Sequence, residues 1–247
     1  MKNKLTGICC YVISLCAILI LFITSIDMNC FNRDFFASEY ASMQTAQSLH
    51  MSHEDLMKAT NVLLDYLQDE RTDIIAEIEV YELPRQAFNE RETLHMVDVK
   101  ALYQWALQLR MGAIVVLLLS LSYTVFHKRK DSMEMLAKAF SQTALCFLAF
   151  VLFLGLWAAV DFTSLWESFH HLFFTNDLWL LNPRTDLMIN MFPEDFFFHM
   201  VLRITSMFLI TFGILCTISI CYLQKQYHFI SLKKRKGVHN EKNHFSK

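Results

Sequence analysis

Four long stretches of this sequence carry no charge, and glycine and proline are scarce throughout. Five Gly and three Pro in 247 residues go with the absence of internal repeats and low-complexity linkers. No Lys, Arg, Asp or Glu falls within residues 5–26, 111–126, 139–160 or 204–224. Ion pumps and proton-coupled transporters need ionisable groups at membrane depth, so this lack argues against both. No Gly-x-Ser-x-Gly elbow signals a serine nucleophile. No Cys-x-x-Cys pair signals a metal or redox site. Of seven cysteines, only Cys30 lies outside the apolar stretches and their ends, so the polar part cannot form a disulfide of its own.

What is present is apolar. Hydrophobic residues make up 54 % of the chain and charged ones 19 %, the latter clustered between the apolar runs. A bilayer span needs about 20 apolar residues at about 1.5 Å each. Three runs meet this directly, and residues 101–109 extend the shorter second run. The flank Thr24-Ser25-Ile26-Asp27 is a poor cleavage site, so the first run reads as an uncleaved anchor. Basic residues set the expected orientation. Lys2 and Lys4 precede the first span, Lys128, Arg129 and Lys130 join the second to the third, and Lys233, Lys234, Arg235 and Lys236 follow the fourth. Residues 27–109 hold fifteen acids against six bases, and residues 161–200 six acids against Arg184.

The expected fold is therefore an all-α membrane protein with four transmembrane helices, both termini cytoplasmic. A small, mostly helical extracytoplasmic domain with a short β-hairpin completes it. The expected spans are 5–26, 109–127, 139–160 and 201–224. The outward segments are 27–108 and 161–200, the cytoplasmic loop is 128–138, and 225–247 is a basic tail, frayed or lying on anionic headgroups.

Within the first outward segment, Ser52 with Asp55 can form a capping box, followed by Leu56, Ala59, Leu63 and Leu67 at helical spacing. This predicts a helix over 53–67. Residues 74–81 alternate apolar and acidic side chains, which predicts a strand. Asn89 with Glu92 is a second capping box. The helix that it opens can run unbroken through His95 and Trp105 into the second span. The second outward segment holds ten Phe or Trp residues. Leu165, Phe169 and Phe173 share one helix face, as expected of a stretch lying in the headgroup layer with its apolar side down. Asn176-Asp177 and Asn182-Pro183 read as turns, and Pro193 before Glu194 and Asp195 as the start of the last helix.

Chemistry is expected at the outer membrane boundary, where six histidines lie: His50, His53, His95, His170, His171 and His199. His95 and Asp98 stand at i, i+3 on one helix face, so the carboxylate can orient an imidazole or pair elsewhere. His170 and His171 follow the third span. Paired histidines at a bilayer surface suit proton transfer on a lipid ester. A metal site built from His50, His53, His170 and His171 is an alternative with only generic spacing. Arg184 can meet an oxyanion or pair with Asp186 or Glu194.

Two strings carry a resemblance. Residues 89–100 read NERETLHMVDVK and residues 169–179 read FHHLFFTNDLW. The second continues into 181–186 (LNPRTD) and 193–197 (PEDFF). Together with the four-span layout, they resemble the bacterial lipoprotein intramolecular transacylases, the Lit family of Gram-positive bacteria. The resemblance implies a substrate lipoprotein whose N-terminal cysteine carries a diacylglyceryl thioether. The sn-2 acyl chain moves to the α-amino group of that cysteine, leaving a lyso-form lipoprotein. It implies His170 as principal acid/base, with His171 adjacent, His95 as second catalytic or orienting group, and Asp98 in support. Tyr66, Asn176, Trp179, Arg184 and Asp186 are the expected substrate-binding residues. The expected partners are diacylglyceryl-modified lipoproteins and membrane lipids, with no nucleic acid, metal or cofactor. Other membrane lipid-ester hydrolases or acyltransferases, and a non-catalytic membrane partner or sensor protein, stand as alternatives.

Overall fold

The computed structural model describes residues 2–127 and 132–244; the loop cluster Lys128, Arg129 and Lys130 lies outside them. Eleven elements follow one another: α1 (Lys2–Cys30), α2 (Arg33–Ser42), α3 (Thr45–Ser48), α4 (His53–Leu67), β1 (Glu77–Val80), β2 (Leu83–Gln86), α5 (Glu90–His127), α6 (Ser132–Val160), α7 (Phe162–Phe173), α8 (Met188–Met191) and α9 (Glu194–His244). Among the described residues, four helices are long and apolar enough to cross a membrane: those within Lys4–Cys30, Glu90–His127, Ser132–Val160 and Glu194–Phe229. The chain is a multi-pass membrane protein. α5 outruns its apolar run because the polar turns opened by the Asn89–Glu92 capping box continue into it. Within the stretch expected as a basic tail, α9 continues to His244.

Two compact units form. The first comprises Met1–Phe22, Met111–Phe153 and Phe208–Lys247. Its core is small, with Ile18, Phe140, Ala144, Phe208 and Phe212 buried together. Small polar groups bond between helices: the Ser219 hydroxyl donates to the Ala137 carbonyl at 2.9 Å and lies 3.2 Å from the Ser141 hydroxyl. Such contacts suit helices that meet in lipid. Large apolar side chains such as Leu119 and Leu145 point outward, as lipid allows and water does not.

The second unit comprises Ile23–Arg110 and Leu154–Met207, so both segments expected to face outward fold into one body. The Ser52 hydroxyl accepts from the Asp55 N–H at 2.9 Å and caps α4, whose Leu56, Ala59 and Leu63 are buried as their spacing predicts. Ile74, Ala76 and Ile78 are buried while Ile75, Glu77 and Glu79 are exposed, the two-residue period of a strand. The strand pairs antiparallel with β2, Glu77 opposite Gln86 and Val80 opposite Leu83. Tyr81 and Glu82 form the turn with φ of 52° and 61°. This left-handed conformation suits a two-residue hairpin, although neither residue is Gly or Asn.

The aromatics of 161–200 divide. Phe192 and Phe196 are buried against Phe35, Phe36 and Tyr40 of α2. Each such ring removes a large apolar area from water, with edge and offset contacts adding to the gain.

Candidate active site

The site lies in the second unit, where α5 and α7 meet. Asn89 and Glu92 cap α5 reciprocally. The Glu92 N–H donates to Asn89 Oδ1 at 3.0 Å, and the Asn89 N–H donates to Glu92 Oε2 at 2.8 Å. Glu92 is fully buried, and its Oε1 also accepts from the Met188 N–H at 2.6 Å. Burial raises its pKa, against the pull of the N–H donors of Asn89 and Met188. Asn89 Nδ2 donates to Asp186 Oδ1 at 2.8 Å, and the Asn182 N–H donates to Asp186 Oδ2 at 2.7 Å. One capping box thus pins the start of α5 to the turn at 182–188. Arg91 adds a bond to the Asp177 carbonyl.

These clasps bring His95 onto His170, 75 positions away in sequence, with ring centroids 6.2 Å apart. Both are buried, 6 % and 7 % exposed. His95 lies in the polar first part of α5, ahead of the apolar run that starts at Met111. Phe174 meets both imidazoles, at 5.4 Å and 5.7 Å. Trp179 stacks on His170 at 4.7 Å. His170 Nδ1 lies 2.7 Å from the Trp166 carbonyl one turn back. A carbonyl only accepts, so Nδ1 carries the hydrogen and Nε2 of the neutral ring carries the lone pair. His95 Nδ1 and Trp179 Nε1 are buried without a hydrogen-bond partner among the described residues. Burial, joined by neighbouring His170, lowers the His95 pKa to about 4; burial also lowers that of His170, against the raising effect of its bond to Trp166. Both rings are therefore neutral near pH 7.

A groove of about 260 Å³ adjoins the pair. Ala101, Leu102, Trp105, Phe173 and Phe174 form its apolar wall, and Asp98, Thr175 and Asn176 its polar end. Asp98 makes no hydrogen bond to His95 among the described residues. Asn176 Nδ2 donates to its Oδ2 at 2.9 Å instead. His95, His170, Asp98, Asn176 and Trp179 are thus brought together. His171 is exposed, edge-on to Trp179. Asp186 is spent on the clasp. Tyr66 lies under the Lys100 ammonium, 4.3 Å from its ring centroid. Arg184 is exposed, and neither Asp186 nor Glu194 forms an ion pair with it among the described residues. His50 stacks on Tyr81 rather than joining His170. Among the described residues, no three His, Cys, Asp or Glu side chains are grouped to hold a metal ion. Sequence reasoning missed Arg91. Its place four residues before His95 on the same helix face was the available signal.

Fold and site together define a multi-pass membrane protein with a buried, neutral histidine pair beside an apolar groove. The chain belongs to the Lit family, whose model, lipoprotein intramolecular transacylase Lit, matches residues 11–197. It is thus a membrane-integral transacylase. Among solved structures, the integral-membrane lipoprotein intramolecular transacylase Lit from Bacillus cereus is 20 % identical. The match covers 92 % of this chain and 99 % of that one, with a TM-score of 0.71. A variant of that protein with one histidine replaced by alanine is 19 % identical over 92 % and 97 % of the two chains, TM-score 0.69. The same protein with a histidine replaced by arginine is 21 % identical over 93 % and 94 %, TM-score 0.65. These likenesses are of fold. No curated protein sequence matches the chain.

Proposed function

We propose that this chain moves the sn-2 acyl chain of a lipoprotein's diacylglyceryl group to the α-amino nitrogen of the same N-terminal cysteine. His95 and His170 serve as its acid/base pair. The observation that carries this reading is the pair itself, two buried neutral imidazoles that both touch Phe174, a residue of the groove wall. The amine nitrogen attacks the ester carbonyl, a C–N bond forms, and the C–O bond to glycerol breaks. The proton lost by the nitrogen ends on the glycerol oxygen. His170 Nε2 accepts that proton and returns it, because Nδ1 is committed to the Trp166 carbonyl. His95, one ring away, holds a second site for the same proton. The indole N–H of Trp179, buried without an acceptor, is the donor for the oxyanion of the tetrahedral intermediate. No acyl-enzyme is required. Donor and acceptor share one molecule, and well-oriented intramolecular reactions gain on the order of 7–11 kcal/mol from proximity. Lysine and arginine asymmetry between the segments supports a topology with both termini cytoplasmic and this site on the outer face of the cytoplasmic membrane.

The reaction is an isomerisation, so the mass of the N-terminal lipopeptide stays constant while one acyl group changes atoms. Fragment spectra of lipopeptide made with the wild-type chain are expected to keep an acyl group on the cysteine nitrogen, with the amine no longer open to labelling. His95→Gln and His170→Gln chains, present in the membrane at equal level, should leave the amine free. Released fatty acid and a lighter lipopeptide would mean hydrolysis, and N-acylation persisting in both variants would remove the histidines from the mechanism.

A further inference from the structure

Asp98 lines the polar end of the groove. No basic side chain pairs with it among the described residues. Lys100, two positions on, pairs with Asp69 at 2.6 Å, and Arg91 is engaged by the Asp177 carbonyl. Asn176 holds one carboxylate oxygen, Oδ2, in place. The other oxygen has no donor among the described residues. This half-buried carboxylate closes the polar end of a groove whose wall is apolar and aromatic. A carboxylate in such surroundings favours a cation, and a cation attached to an apolar body fits the groove best.

We propose that Asp98 anchors the α-ammonium group of the substrate's N-terminal cysteine, with the lipid portion lying against Leu102, Trp105 and Phe173. This assignment rests on the acyl-transfer reading above and adds the recognition step that precedes it. An α-amino group has a pKa of about 7.7–8.0, so most substrate arrives as ammonium, with three donors for a carboxylate. Asn176 leaves one oxygen open to receive it. His95 stands one helical turn before Asp98, so an ammonium held there is beside the imidazole pair that must deprotonate it. Asp98 thus acts as a substrate-binding and selecting residue, and its contact with the amine is spent before the C–N bond forms.

The test uses a ligand that cannot react: a cysteinyl peptide carrying a dialkylglyceryl thioether, with ether links in place of both esters. Its binding to the full-length wild-type protein is compared with that of its N-acetylated form. The free-amine ligand is expected to bind about tenfold more tightly at pH 6.5, the size of one charged hydrogen-bonded contact. That preference should vanish in Asp98→Asn, return in part in Asp98→Glu, and fade above pH 9 as the amine loses its charge. An equal preference in Asp98→Asn, or none in the wild type, overturns the proposal. Because this ligand never transfers an acyl group, the result stands apart from the lipopeptide experiment. Failure of the histidine mechanism would show there, and failure of the ammonium anchor would show here.

Discussion

The two units of this chain bury apolar residues for different reasons. In the unit of apolar helix segments, many large side chains face outward and Ile18, Phe140, Ala144, Phe208 and Phe212 form a small buried cluster. In the unit that carries the histidines, Phe35, Phe36, Tyr40, Phe192 and Phe196 form a core like that of a water-soluble domain. Lipid tails accept Leu as readily as a protein interior does, so helices there need little packing to stay apolar. The second unit must exclude water by its own packing. It can therefore hold two imidazoles dry and neutral, which a lipid-facing helix surface cannot do with precision.

The largest effect expected from breaking this contrast is catalytic. His170→Gln should lower the rate of N-acylation by about 10²–10⁴, the usual worth of a positioned acid/base. Protein level and folding should hold, as read by lipopeptide fragmentation beside an immunoblot. Next comes the aromatic core. Phe196 is 1 % exposed and contacts five rings, so Phe196→Ala should cost about 3–5 kcal/mol in denaturant unfolding. A parallel Leu145→Ala change, at a side chain 70 % exposed, should stay within about 0.5 kcal/mol. Equal losses at both positions would erase the distinction between the units.

Acid should separate the units as well. An unfolded histidine takes its proton near pH 6.5, whereas His95 in the fold resists until about 4. Between those values the unfolded chain binds more protons. The stabilising contribution is therefore complete above 6.5 and drains away as pH falls to 4, up to about 3 kcal/mol. Thermal unfolding from pH 7 to 4.5 should show this slope in the wild type and a shallower one in His95→Gln. A smaller change is expected from Glu92→Ala, which strands the N–H groups of Asn89 and Met188. The cost is about 2 kcal/mol, seen as faster amide exchange at the start of α5.

Much of this was legible from local pattern. Ser52 with Asp55 marked a helix over 53–67, and α4 is that helix. Asn89 with Glu92 marked a helix running into the second span, and α5 does so without a break. The alternation at 74–81 gave a hairpin strand, although its ladder covers only Glu77–Val80. Other features left no local trace. That Glu92 would reach past its own helix to Met188 depends on a contact across 96 positions. That Phe192 and Phe196 would be buried against α2 was not legible either, because aromatic composition reads the same for a headgroup belt and for a core.

The sequence by itself determined four membrane helices, the caps that start α4 and α5 and the candidate histidines. These follow from hydrophobic length and from backbone periods that repeat within a few residues. Only the tertiary structure decided that His170 rather than His171 faces His95, and that Asp98 belongs to Asn176 and the groove rather than to an imidazole. Those choices depend on how α5 and α7 are clasped together. Residues far apart along the chain form that clasp by burying a carboxylate among N–H donors, and no short-range pattern encodes such an arrangement.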